Sequence, residues 1–465
     1  MRMIQFVKIL FLFTVCLSEG VEAKIQLSPL FSDGMILQQQ KLVYFRGHSD
    51  KHEKKVILKT SWDTKKYTTI TDKEGNWKIN IETPSYGGPY QIAISDGETV
   101  YINNVLIGEV WLCSGQSNMD MRVGGSYNEP VIGSLDEIVT SENSNIRMFT
   151  VGKKMASEPL TTCEGHWEEA SSETVPNFSA VGYFFARKLN QILHIPIGII
   201  HTSYGGSRVE AWMSKEGIAS YKGLSEVHNA SILYNSMLSP VVGYGMQGCL
   251  WYQGEANIDA PDLYRLLFPS LVQDWRIKWN IGEFPFYYAQ IAPFNYNKGE
   301  KQGQNSAYLR ESQLKCLKLI PSSGMVVLTD IGDFRTIHPM EKETVGYRFA
   351  YMALGGVYGK KGFSKTGPLY KSMQIKDNRI IINFDETGGG LTTYHKPLIG
   401  FEIAGKDKVF HPANAYLGKD IQTVEVTSSE VKDPIAVRYA FTDYAEGCLF
   451  NMCGLPASSF RTDDW

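Results

Sequence analysis

Apolar and polar positions alternate with period two in the first part of the chain after residue 24. Val56–Thr60, Trp77–Ile81 and Tyr90–Ser95 each have the length and patterning of a half-buried strand. Between them stand turn-forming runs, Asp72-Lys73-Glu74-Gly75-Asn76 and Tyr86-Gly87-Gly88-Pro89. Even spacing of short strands predicts a small β-sandwich over 24–104. From Val105 the period changes. Helical stretches are predicted over 179–193, 231–242, 262–279, 306–320 and 340–358. Apolar strand-like runs fall at 105–112, 196–200, 246–251, 285–291 and 325–330. Alternation of this kind predicts a parallel sheet with helices on both faces, here over 105–361. Short β runs return at Arg379–Phe384 and Gln422–Val426, so 362–465 is read as a C-terminal β-rich region packed on the other modules.

The length of 465 residues suits two or three such modules, and neither an internal repeat nor a low-complexity linker separates them. Ahead of the first strand, Arg2 and Lys8 flank the apolar run Ile9–Leu17, and Val21-Glu22-Ala23 fits a small-x-small cleavage site. Residues 1–23 therefore read as a secretory signal, with a secreted or periplasmic product. The apolar run is too short to span a bilayer, and no later segment approaches a span. Beyond Cys16, six cysteines are spread too thinly for a disulfide scaffold, although Cys448 and Cys453 are close enough to bridge in an oxidising compartment. A net charge of −3 without long runs argues against nucleic acid, which needs a basic stripe. Histidines are scattered and no Cys/His spacing resembles a ligand set, so neither metal nor cofactor is expected.

In parallel α/β sheets ligands bind outside the carboxyl ends of the strands. Four of those ends carry polar clusters. Gly115-Gln116-Ser117-Asn118-Met119 puts a serine on a strand-to-helix turn, although Met119 stands where a nucleophile elbow has glycine. The others are His201–Trp212 with Gly205-Gly206, then Trp251–Asn257, then Asp330–Pro339 with His338 on a loop. Together they support acyl transfer, with Ser117 as nucleophile and His338 as its base. The N–H groups of Ser117 and Gly206 and the side-chain amide of Gln253 are the expected oxyanion donors, with Asn257 second to Gln253. For the acid that orients His338, Asp333 is preferred and Asp330 comes second. A serine–histidine dyad supported by a backbone carbonyl is the third option. Arg208 and Glu255 are candidate substrate contacts; Arg208 is equally able to brace Glu210, and Glu255 to hold strand-end backbone.

The segments Gly108–Met119, Gly205-Gly206-Ser207 with Glu210-Ala211-Trp212, Trp251–Glu255 and Ile337-His338-Pro339 resemble the sequence blocks of the sialate O-acetylesterases, a branch of the SGNH hydrolases. The resemblance extends to Pro29–Gln38 and Gly454–Asp463, nearly the whole chain after the signal. It implies a flavodoxin-like three-layer SGNH domain flanked by β-sandwich regions. The implied activity is removal of O-acetyl groups from sialic acid by an exported bacterial enzyme. Two departures stand out: Arg335 occupies the position three residues before the histidine where the acid commonly sits, and the third block lacks the Gly-x-Asn form. Deacetylation of a plant polysaccharide such as xylan is the main alternative. A non-catalytic glycan-binding protein is the alternative outside the enzymes; the aromatic content of 12% suits either sugar-handling role. A sialic acid pocket requires a cation for the sugar carboxylate, and Arg208 is the candidate.

Overall fold

The computed structural model describes residues 25–219, 221, 229–296 and 303–465; the secretory signal expected at 1–23 lies outside them. A mixed α/β architecture results, with one large sheet and several smaller β-sheets. The strand Thr99–Gly115 lies at its centre. On one side it pairs in parallel with Ile197–Ser203, which pairs with Asn143–Thr150, and Trp167–Ala170 closes that edge antiparallel. On the other side Gly248–Tyr252, Phe286–Ala289 and Ser323–Val326 follow, all parallel. Chain order thus reverses at the central strand, which makes its carboxyl end the crevice for a ligand.

Alternate side chains of the central strand enter different cores. Val110 and Leu112 pack in the cluster that contains Leu267, Phe268 and Trp275 of the helix Pro261–Trp279. Trp111 and Cys113 join the other cluster, with Phe184, Phe185 and Phe349 of the helices Ala180–Leu193 and Lys342–Gly356. Helix ends follow local chemistry. Ser179 caps the first turn of Ala180–Leu193 by accepting from Gly182 N–H, and His194 ends it in the left-handed region.

The junction expected at 104/105 falls inside a continuous strand. The amino half of Thr99–Gly115 pairs antiparallel with Gly87–Ser95 and in parallel with Ile36–Gln38, so the N-terminal β region and the central sheet share one strand. At the other end, the strands Arg379–Asp385 and Thr423–Thr427 and the strands Phe401–Ala404 and Ala436–Tyr439 belong to two four-stranded sheets around a separate core. Arg310 ties this region to the central unit through the carbonyls of Ala440 and Thr442 and the hydroxyl of Ser459.

Three expectations change. Instead of a helix over 231–242 there is a short π-helical turn, Tyr234–Leu238, because Asn235 and Ser236 give their side chains to the backbone of residues 154–157. The last parallel strand starts and stops earlier than 325–330. Beyond Val326 the edge carbonyls are taken by Arg348, which binds Val327 O, and by Gly447 N–H, which binds Thr329 O. Asn143–Thr150 escapes the hydrophobic pattern because it opens on Asn143-Ser144-Asn145 and carries Arg147. That guanidinium is buried against Ser144 O, Gly34 O and Asn104 Oδ1. Cys448 and Cys453 are both free: Cys448 is buried with its thiol on Ile399 O, and Cys453 is exposed.

Candidate active site

Strand register brings the first three polar clusters together. Gly115 faces Ser203 on one neighbour and Tyr252 on the other, so three strands end at one level. Only glycine fits at 115. Its φ is +142°, and a Cβ would lie 2.1 Å from Tyr252 O. The neighbouring strands are latched at this level by Tyr204 N–H to Gly115 O at 3.1 Å and Gln116 N–H to Tyr252 O at 3.0 Å.

Ser117 begins a single helical turn, Ser117–Asp120, which ends as Met121 N–H bonds Ser117 O. Met119, at the place of the elbow glycine, is fully buried, and its carbonyl accepts from Ser179 Oγ at 2.7 Å. Ser117 Oγ lies 2.8 Å from His338 Nε2, and His338 Nδ1 lies 2.7 Å from Glu129 Oε1. A carboxylate only accepts, so Nδ1 carries the proton and Nε2 presents its lone pair to the serine hydroxyl. Thr336 supports the arrangement by donating its hydroxyl to Glu129 Oε1 at 3.3 Å while accepting His338 N–H at 3.1 Å. The side chains of His338 and Glu129 are 20% and 28% exposed, so the pair is open to a substrate from solvent.

Asp333, the expected acid, is not the carboxylate bonded to His338. Asp333 Oδ1 accepts from the N–H groups of Arg335 and Thr336 at 2.6 and 3.3 Å and folds its own loop. Asp330 is held bidentate by Arg348 at 2.8 and 2.6 Å. Glu129 sits in the irregular loop after the serine turn, where Ser126 and Glu129 exchange backbone hydrogen bonds. Its sequence signal was weak: a carboxylate before Pro130 in a glycine-containing loop. Chain order is still serine, acid, histidine.

Gly206 has φ +70°, with nothing within 4 Å of a would-be Cβ; a Cβ on Gly205 would lie 3.8 Å from Ser117 Cβ. The Gly205-Gly206 turn therefore adjoins the serine and leaves room above it. Gln253 does not point there. It is fully buried, and its Nε2 donates to Ser207 O at 3.1 Å and Asn257 Oδ1 at 2.8 Å, which occupies both amide hydrogens. Asn257 in turn accepts from Val209 N–H and donates to Glu210 Oε2 at 3.1 Å, so this network welds the second cluster to the third. Glu255, expected at the substrate, is buried and accepts from Asn118 Nδ2 at 2.6 Å. Burial pushes its carboxyl above the usual range. Arg208 is partly exposed; its Nη1 binds Ala256 O and Asp259, and its Nε lies 3.5 Å from Glu210.

Residues 107–354 match the family model for carbohydrate esterases described as sialic acid-specific acetylesterases. The chain belongs to that family. Human sialate O-acetylesterase is 28% identical to this family member over 455 residues, covering 86% of this chain and 83% of its own. The Pongo abelii sialate O-acetylesterase is 28% identical, covering 84% and 81%. Among solved structures, a carbohydrate acetylesterase from Xanthomonas citri superimposes with a TM-score of 0.87 at 32% identity, over 95% of this chain and all of that one. That structural likeness extends over the β regions on either side of the matched segment.

Proposed function

We propose that this carbohydrate esterase removes O-acetyl groups from sialic acid through an acetyl-serine intermediate. The observation that carries the reading is the continuous hydrogen-bonded chain Glu129–His338–Ser117. Ser117 Oγ attacks the acetyl carbonyl carbon while its proton passes to His338 Nε2, and Glu129 stabilises the imidazolium that forms. The tetrahedral oxyanion is received by the N–H groups of Ser117 and Gly206. Collapse breaks the bond to the sugar oxygen, which leaves as the alcohol with the proton from His338. Water then attacks acetyl-Ser117, gives its proton to His338, and acetate departs as the serine recovers that proton. The sheet order and the helices on both faces support a flavodoxin-like SGNH arrangement. The charged and apolar pattern of residues 1–23, read as a secretory signal, supports export.

Similarity to sialate O-acetylesterases supports the sugar assignment, with Arg208 as the cation for its carboxylate. A specific observation favours a second reading, a neutral acetylated polysaccharide such as xylan: Asp259 and Glu210 already occupy much of the Arg208 guanidinium. Turnover of O-acetylated sialic acid beside acetylated xylan, with Ser117→Ala as control, tests both. Preference for xylan replaces the sialate reading, and full activity without the serine hydroxyl removes the mechanism.

A further inference from the structure

Next to the Ser117–His338 pair lies a polar network closed to solvent. Lys342, the first residue of the helix Lys342–Gly356, is 0% exposed, and its Nζ donates to Asn118 Oδ1 at 2.5 Å. Asn118 directly follows the nucleophile. Its Nδ2 donates to Glu255 Oε1 at 2.6 Å and to Ile337 O, the carbonyl before His338, at 3.1 Å. One amide thus joins the serine turn, the turn after Gly248–Tyr252 and the histidine loop.

Lys342 and the two acceptors together fix how that amide points. Ile337 O only accepts, so Nδ2 must face it and Glu255, which leaves Oδ1 to accept from Lys342 Nζ. Reversed, the amide would set N–H against ammonium and oxygen against carboxylate. Glu255, Glu129 and the Tyr252 ring face Lys342 from the other elements, with the ring centroid 5.5 Å from Nζ. Tyr296 and His338 face Glu255 in turn. Even so, burial pulls the ammonium down to about 7. Replacing buried ionisable partners by apolar residues of similar volume is often neutral or stabilising, so Lys342 and Glu255 beside Ser117 point to a task other than stability.

We propose that Lys342 is a positioning residue for the Ser117–His338 pair, holding the nucleophile turn against the histidine loop by orienting the Asn118 amide. The inference rests on the serine mechanism above. Misplacement of reacting groups by about 1 Å costs on the order of 10²-fold in rate, and Asn118 is the side chain that spans the two loops.

The test compares Lys342→Met, Glu255→Gln, the double variant and Ser117→Ala on p-nitrophenyl acetate, together with thermal unfolding. Lys342→Met is expected to lower kcat about 10²-fold with KM changed by less than about two-fold, because alignment rather than binding is lost. Its Tm falls as well, since Glu255 is left buried without its cation. In the double variant that charge is gone and Tm recovers, yet kcat stays at least about ten-fold down, because methionine offers Asn118 Oδ1 no donor. Wild-type kcat in either Lys342 variant overturns the proposal and leaves the lysine as a mere counter-charge. If Lys342→Met does not fold, the double variant carries the same comparison. An active Ser117→Ala protein removes the serine mechanism and this inference with it, whereas an inactive one beside a fully active double variant overturns the inference alone.

Discussion

His338 Nδ1 stands 2.7 Å from a carboxylate oxygen of Glu129, 209 residues earlier in the chain, while Asp333 on the histidine's own loop is turned onto the backbone N–H groups of Arg335 and Thr336. The histidine is therefore oriented across the crevice. Glu129→Gln leaves the shape intact but replaces an obligate acceptor by a group that also donates, so the preferred tautomer is lost. A drop in kcat of about 10⁴-fold is expected, with KM little changed. Asp333→Asn keeps an oxygen for both N–H groups and should stay within about ten-fold of wild type. Steady-state kinetics on the two variants decide; the opposite ranking returns the orienting role to Asp333.

Ser117→Ala removes the proposed nucleophile from a turn held by backbone bonds and by Ser179. Loss of roughly 10⁶-fold in kcat is expected, with a stability change under about 1 kcal/mol. Single-turnover assays and thermal unfolding of the same preparation measure both.

Gln253→Ala separates an architectural amide from an oxyanion donor. Both of its hydrogens are used inside the protein, on Ser207 O and Asn257 Oδ1. Deletion leaves two buried acceptors short of a donor, for an expected destabilisation of about 1–3 kcal/mol. Denaturant unfolding reads this directly. An unchanged midpoint together with a large loss of kcat would show the amide acting on the oxyanion instead.

Arg208→Ala tests the sugar. If the guanidinium meets the sialic acid carboxylate, KM for O-acetylated sialic acid rises by about ten-fold or more, as expected for a charge-assisted bond. Turnover of p-nitrophenyl acetate, which has no such carboxylate, stays near wild type. Equal damage to both substrates makes Arg208 a brace between Glu210 and Asp259.

Lys342 also gives a pH signature. Its folded value, about 7, lies below the ordinary lysine value of 10.5, so the unfolded chain binds more protons between those limits. Its contribution to stability is thus fully present above the unfolded value, grows as pH rises from about 7, and is lost as pH falls through about 7. The difference in unfolding free energy between wild type and Lys342→Met should change in this direction between pH 7 and 8.5, by at most about 1.4 kcal/mol per pH unit. Parallel curves for the two proteins would contradict it.

Hydrophobic periodicity alone was enough to find the helices that became Ala180–Leu193, Pro261–Trp279, Asn305–Cys316 and Lys342–Gly356, and the buried strands between them. Burial follows the helical repeat along those helices and is continuous along the strands Ile197–Ser203, Gly248–Tyr252 and Phe286–Ala289, so both kinds of element can be read from the chain itself. Ser117 and His338 stood out because each falls on a loop after an apolar strand-like run, although the strand before His338 ends at Val326, earlier than its run suggested. Glu129 did not, because it lies in a loop without period, and nothing local connects it to a histidine 209 residues away. Gln253, Glu255 and Lys342 show the same limit from the other side. Their residue types suit catalysis or binding, but whether a polar group meets substrate or another buried group depends on burial and hydrogen-bond partners. Those partners arrive from three different strand ends and a helix start, and only the register of Gly115 against Ser203 and Tyr252 brings them within bonding distance.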